Sequence, residues 1–277
     1  AMSAPAPRPR GRILLTARWV VGHRDGRHRL LERGEVVFED GRIVFVGHGF
    51  AGACARRIDF GEALVGPGFV DLDALSDLDT TILGYDNQPA WRKGRVWPRS
   101  YVDAGPREMY TPGELAFQKR FAFAWLLRNG ITTALPIASL FYRAWGETPA
   151  EFHAAAAAAA ELGLRAYLGP AYRTGNQVVE ADGRIATHYD EPRGLAELDA
   201  AIAFCRRHED TAGGLVRTML APDRIETSTP ELLRRTAAAG RELGVPVRLH
   251  CCQSRIEYDL VLAQHGKSSP EFLRDLG

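Results

Sequence analysis

Residues 242 to 250 read Glu242-Leu243-Gly244-Val245-Pro246-Val247-Arg248-Leu249-His250. They close a helical pattern, supply a glycine where a left-handed C-cap is wanted, and continue as a short apolar run ending in histidine. A strand of that kind is buried on both faces and belongs to a parallel sheet covered by helices. The same unit recurs upstream: strands are expected at 63–70, 131–137, 164–168, 214–220 and 245–250, and helices at 112–129, 149–162, 194–208 and 230–243, with another start at Pro270. Gly130 and Gly163 follow their helices as Gly244 does, and several helices have proline in or near the first turn. Repeated strand-helix units of this length, about five of them, predict an α/β fold built on a parallel sheet or barrel.

Before this rhythm begins, residues 12–65 read as short strands at 13–21, 34–38 and 42–46. Asp40-Gly41 supplies the positive φ angles of a tight hairpin. A small antiparallel, sandwich-like β module is expected here, preceded by a disordered lead over residues 1–11 and followed by the barrel domain over 66–277. Gly47-His48-Gly49-Phe50-Ala51-Gly52 spells GxGxxG after a strand, but residues 53–60 are too short for the helix that a dinucleotide site requires. A turn explains these glycines. No GxxxxGK[ST], HExxH or GxSxG motif is present in the sequence.

Lys plus Arg is 35 against Asp plus Glu 34 in 277 residues, a formal charge of +1. There is no global field to hold nucleic acid or an anionic membrane. No apolar run reaches the roughly 18 residues of a membrane span. Cys54, Cys205, Cys251 and Cys252 form no CxxC pattern, which fits a reducing cytoplasm. A small-molecule substrate is the expected partner. The stretches 79–111 and 172–192 interrupt the strand-helix rhythm, and long loops after strands are where such folds place substrate contacts.

In order along the chain, Leu64-Val65-Gly66-Pro67-Gly68-Phe69-Val70-Asp71, Leu126-Leu127-Arg128-Asn129-Gly130-Ile131-Thr132-Thr133, Leu220-Ala221-Pro222 with Ser228-Thr229-Pro230-Glu231-Leu232-Leu233, and finally 242–250 resemble the amidohydrolase superfamily, in its deaminase and chlorohydrolase-like branch related to cytosine deaminase. The ordered set covers residues 12 to 277. This resemblance implies an α/β fold of the TIM-type (β/α)8 barrel, about five of its units being present here, with one divalent metal, zinc or iron, at the barrel mouth. An HxH pair at strand one, a histidine on each of strands five and six and an aspartate on strand eight would hold it, and a glutamate three residues after the strand-five histidine would shuttle protons. The metal makes hydroxide from bound water, which attacks carbon and expels nitrogen.

At the positions of that machinery, His250 matches the strand-five ligand, but the HxH positions are Asp73-Ala74-Leu75 and the shuttle position is Gln253. Aspartate ligates zinc and leucine does not. Leu75 and Gln253 predict that the branch's full metal centre is absent from these residues. The expected site residues are therefore His250 and Asp73 as metal ligands, Asp73 and Gln253 in catalysis, and Tyr172, Arg173 and Asp223 against the substrate. Asp71, Asp77 and Asp79 crowd around Asp73, which raises carboxyl pKa values or recruits a cation; capping and solvated-loop roles explain them equally well. Glu257 is expected to face solvent or an arginine, and the adjacent Cys251 and Cys252 to pack at the rim.

Two functions remain open at this level. One is an amidohydrolase-like hydrolase of non-peptide carbon–nitrogen bonds with a remodelled metal site. The other is a catalytically inactive protein of the same fold that binds a small molecule or a protein partner. Five strands of an eight-stranded barrel leave parallel edges open, so a missing C-terminal half or a homo-oligomer is expected to close them.

Overall fold

The computed structural model describes residues 11–75, 97–104, 110–137 and 145–277. Asp77, Asp79, Trp91, Arg92, Lys93 and Arg95, and residues 1–10 of the expected lead, lie outside the described residues. The chain forms two compact units, Ala1–Phe69 and Val70–Gly277.

In the first unit the apolar run at 13–21 divides into two strands. β1 (Ile13–Thr16) and β2 (Trp19–Arg24) belong to different sheets. With β3 (Arg27–Glu32), β4 (Glu35–Glu39), β5 (Arg42–Gly47), β6 (Arg56–Asp59) and β7 (Leu64–Val65), the sheet orders are β5-β4-β1-β6 and β3-β2-β7. Asp40 and Gly41 take φ of 51° and 79° at the β4–β5 turn, the left-handed pair that a two-residue hairpin needs. The unit is not wholly antiparallel, because β6 pairs with β1 and β7 with β2 in parallel. Ile13, Leu14, Ala17, Val20 and Val37 are its buried apolar side chains. The glycine-rich 47–52 segment joins β5 to β6 with no helix between them.

The second unit is α/β. β8 (Phe69–Leu75), β10 (Ile131–Ile137), β11 (Arg165–Leu168) and β15 (Val216–Thr218) lie in the order β15-β11-β10-β8, with β10–β11 and β11–β15 parallel. β12 (Ala171–Tyr172) and β16 (Ala221–Pro222), which follow β11 and β15 in the chain, form a separate two-stranded parallel pair. The helices are α1 (Arg99–Asp103), α2 (Pro112–Arg128), α3 (Pro149–Leu162), α4 (Glu191–His208), α5 (Pro230–Leu243), α6 (Arg255–His265) and α7 (Ser269–Leu276). Gly163 and Gly244 end α3 and α5 at φ of 79° and 66°. Ala155, Ala156, Ala158 and Ala159 of α3 are buried beside Phe152, Phe204 and Leu164, where small side chains permit a close approach.

Residues 245–250 differ from a regular strand. They meet their neighbour at the parallel bridges Leu220↔Val247 and Arg224↔His250. Between these bridges five residues on one side run against four on the other, and Pro246 has no N–H to donate. The long connection after β12 is also structured: β13 (Gly175–Val179) and β14 (Ile185–Tyr189) pair antiparallel, and β9 (Trp97–Pro98) joins them. Among the described residues the main sheet is open, and no helix is long and apolar enough to cross a membrane.

Between α2 and α3, Lys119 Nζ lies 2.9 Å from Glu151 Oε1, both side chains 1% exposed. Removing one partner leaves the other charge in a poor dielectric. Lys119→Met is expected to cost about 3 to 5 kcal/mol in urea unfolding, and Lys119→Met with Glu151→Leu to recover most of it.

Candidate functional site

The C-terminal ends of β8, β12 and β16 and of the 245–250 segment carry most of the residues singled out by sequence. Asp73 Oδ1 stands 3.6 Å from His250 Nε2, inside the roughly 4.4 Å that two ligands of one metal can span. The Asp73 side chain is 66% exposed and that of His250 24%. Asp71 turns back on its own chain, accepting the Asp73 N–H at 3.0 Å.

His250 Nδ1 is 3.0 Å from the Asp223 carbonyl oxygen. A carbonyl cannot donate, so Nδ1 carries the proton and Nε2 is the nitrogen that faces Asp73. That same carbonyl accepts the His250 backbone N–H at 3.2 Å, and the Asp223 N–H donates to the Tyr172 carbonyl at 2.9 Å. The Asp223 side chain meets Arg173 at 3.4 Å, where the two are 10% and 8% exposed. Arg173 also donates to the Trp145 carbonyl.

Two charged residues were not read from the sequence. Arg248 lies two residues before His250 and donates to the Pro136 carbonyl at 3.2 Å. Burial lowers its pKa, while Glu147, Asp73 and Asp223 pull it back up. Glu147 is buried and accepts the Ala171 N–H at 2.8 Å. The signal for Arg248 was present: a charged residue in phase with His250 in an otherwise apolar run shares its face. For Glu147 there was none, because its place in the irregular residues 145–148 ahead of α3 fixes no facing.

Other candidates go elsewhere. Tyr172 is buried at 1% exposure and its hydroxyl pairs with Thr236 of α5 at 2.9 Å, so it faces the layer between sheet and helices. Burial raises its pKa. Gln253 is exposed, and its backbone N–H donates to Glu257. Glu257 does not face solvent: it is buried and accepts the N–H groups of Cys252 and Gln253 at 2.6 and 2.5 Å and the Ser269 hydroxyl at 2.8 Å. The first turn of α6 aims it back at the turn preceding the helix, and three donors replace its water. Leu75 is exposed.

Glu226, in the turn after β16, is buried and accepts from Gln177 of β13 at 3.2 Å, with Arg224 4.0 Å away. Burial pushes its carboxyl from the usual 4.5 up to about 7, with Asp223 and Glu257 adding to the rise.

No family model matches the chain. A 5-methylthioadenosine/S-adenosylhomocysteine deaminase of Natronomonas pharaonis is 30% identical over 242 residues, covering 86% of this chain and 48% of that protein. The triazine hydrolase from Arthobacter aurescens superposes with a TM-score of 0.71 at 19% identity, over 96% of this chain and 58% of that one. An adenosine deaminase from Xanthomonas campestris, solved with bound zinc, gives 0.64 at 22% identity, over 96% and 55%. The chain spans about half the length of the curated relatives it matches.

Because the folded-state pKa of Glu226 lies above its unfolded value, its contribution to stability is fully present below about pH 4.5 and lost as pH rises through about 7. The loss is on the order of 3 kcal/mol. Urea titrations at pH 5 and pH 8 should show it in the native chain, and Glu226→Gln should remove that part of the pH dependence.

Proposed function

We propose, for a chain that is a relative in sequence and fold of deaminases and hydrolases of the amidohydrolase superfamily, hydrolysis of a non-peptide carbon–nitrogen bond in a small nitrogen heterocycle. The reaction is assigned to the strand-end site of Asp73 and His250. The observation that carries this reading is the facing of two lone-pair donors at 3.6 Å, with the imidazole tautomer set by the Asp223 carbonyl. Such a pair calls for a proton or a cation between its members.

The two side chains fit a divalent metal in donor type and in separation, as two members of a zinc or iron set. The reading puts the remaining donors outside the described residues. When bound, the metal would supply hydroxide at neutral pH and polarise the attacked carbon.

The chain's own residues would do the rest. Asp73, the more exposed of the pair, would accept the proton of the attacking water and return it to the departing nitrogen. Arg173 and Asp223 neutralise each other and would present a fixed polar edge to the heterocycle. Gln253 offers an amide where proton transfer is not available, so it is read as a hydrogen-bonding contact. Tyr172 has no part, since its hydroxyl is engaged by Thr236.

The reading takes the open sheet as part of a TIM-type barrel. Four free thiols support a reducing, cytoplasmic setting.

The chain supplied with zinc is expected to release ammonia from methylthioadenosine, adenosine or an amino-triazine. Asp73→Asn should lower that rate about 100-fold or more. His250→Ala should abolish it while changing unfolding stability by about 1 kcal/mol, the worth of one hydrogen bond. Binding of these heterocycles with no ammonia released would overturn the reading in favour of a non-catalytic binder.

A further inference from the structure

Beyond the pocket, residues 250 and 251 point to the two opposite faces of their segment. His250 faces Asp73, whereas Cys251 packs with Ile225, Leu233, Val261 and Phe272 on the helix side. Cys252 follows with φ of +60°, a left-handed conformation that side chains other than glycine and asparagine rarely adopt. This turn brings the Cys251 and Cys252 sulfurs to 3.6 Å. They are free thiols, Cys251 half-buried and Cys252 exposed, and their separation exceeds the roughly 2.05 Å of a disulfide. Arms of about 2.3 Å from each sulfur to one central ion close at an angle of about 100°.

The strained turn is held from below. Glu257, buried in the first turn of α6, accepts the N–H groups of both Cys252 and Gln253, and Ser254 caps that helix by accepting the Glu257 N–H at 3.2 Å. Its carboxylate oxygen lies within 4.8 Å of both sulfurs, and these three form a group of metal-ligating side chains among the described residues. A buried carboxylate clamping a left-handed cysteine is a costly arrangement. Strain held this way is characteristic of ligand clamps.

We propose that Cys251 and Cys252 form a dithiol site for a soft, thiophilic ion, with Glu257 as the positioning residue that presents both sulfurs on one side of the turn. Thiolate sulfur selects soft ions over the harder ones that oxygen ligands prefer. The site stands apart from the Asp73–His250 pair because adjacent residues of an extended segment point to opposite faces.

Phenylarsine oxide is the probe. Its arsenic–oxygen bond breaks, two sulfur–arsenic bonds form, and the two thiol protons leave with the oxygen as water; no oxidant is required. The intact chain is expected to take up one phenylarsenic group by mass spectrometry and to lose two titratable thiols. A dithiol such as 2,3-dimercaptopropanol should reverse this and an equal concentration of monothiol should not. Cys251→Ser and Cys252→Ser should each weaken retention by about 100-fold or more, the loss expected when a two-point attachment becomes one. Cys54→Ser should leave it unchanged. Glu257→Gln, with both thiols intact, should weaken it by about tenfold, as loss of a ligand-orienting contact does. Retention by Cys252→Ser equal to that of the native chain, or uptake with no loss of thiols, would overturn the proposal.

Discussion

One backbone group organises the candidate site. The Asp223 carbonyl accepts both the N–H and the Nδ1–H of His250, while the Asp223 N–H reaches the Tyr172 carbonyl. Three neighbouring segments of the parallel sheet are thus tied at one residue. Their tie also decides which imidazole nitrogen faces Asp73. The position would not exist in a regular ladder. The five residues from Leu220 to Arg224 oppose the four from Val247 to His250, and the resulting bulge places the Asp223 carbonyl where the chain and the ring of His250 share it. Regular pairing would supply the first of these bonds and leave the ring free to rotate.

The helices and central strands were legible because each carries its own punctuation. Pro149 and Gly163 bracket α3, and Pro230 and Gly244 bracket α5, at the residues where the structure starts and stops them. What could not be read depends on long-range pairing. β3 has no apolar alternation, yet it pairs along its full length with β2, and its sequence signal was the Asp25-Gly26 dipeptide, whose φ values of 53° and 73° repeat those of Asp40-Gly41. The β13–β14 hairpin was hidden in the same way in a stretch rich in polar residues. At the site, Asp73 and His250 were legible through their strand-end positions. Glu257 was misjudged because helical spacing gives direction around an axis but not the turn that folds back beneath it.

Charge in this molecule is local rather than global. A formal balance of +1 says nothing about where opposite charges are buried, and here they are buried in specific pairs. Lys119 with Glu151 locks two helices, and Arg173 with Asp223 stiffens the strand ends. Arg248 lies among three carboxylates, Glu147, Asp73 and Asp223, which reduce but do not cancel the cost of its own burial. Each arrangement trades desolvation for orientation, and the gain is a fixed geometry rather than extra stability. Glu226 marks the limit of that exchange. Its Oε2 has no hydrogen-bond partner among the described residues, and burial raises its carboxyl pKa to about 7.

The same segment then serves two faces with one backbone. Alternation sends His250 toward Asp73 and Cys251 toward the helices, so a change in the chain's path at this point moves both. Two constraints act against such a change from opposite ends. The Asp223 carbonyl holds residue 250 from the sheet side, and Glu257 holds residues 252 and 253 from the helix side. Between them lies a single peptide step, Cys251 to Cys252, in which φ changes sign. A residue with φ near +60° can be held there only if the groups on both sides are fixed independently, because relaxation of either would let the chain return to an extended path. The burial of Glu257 is therefore tied to the geometry of His250 through three residues of backbone, without direct contact between the two side chains.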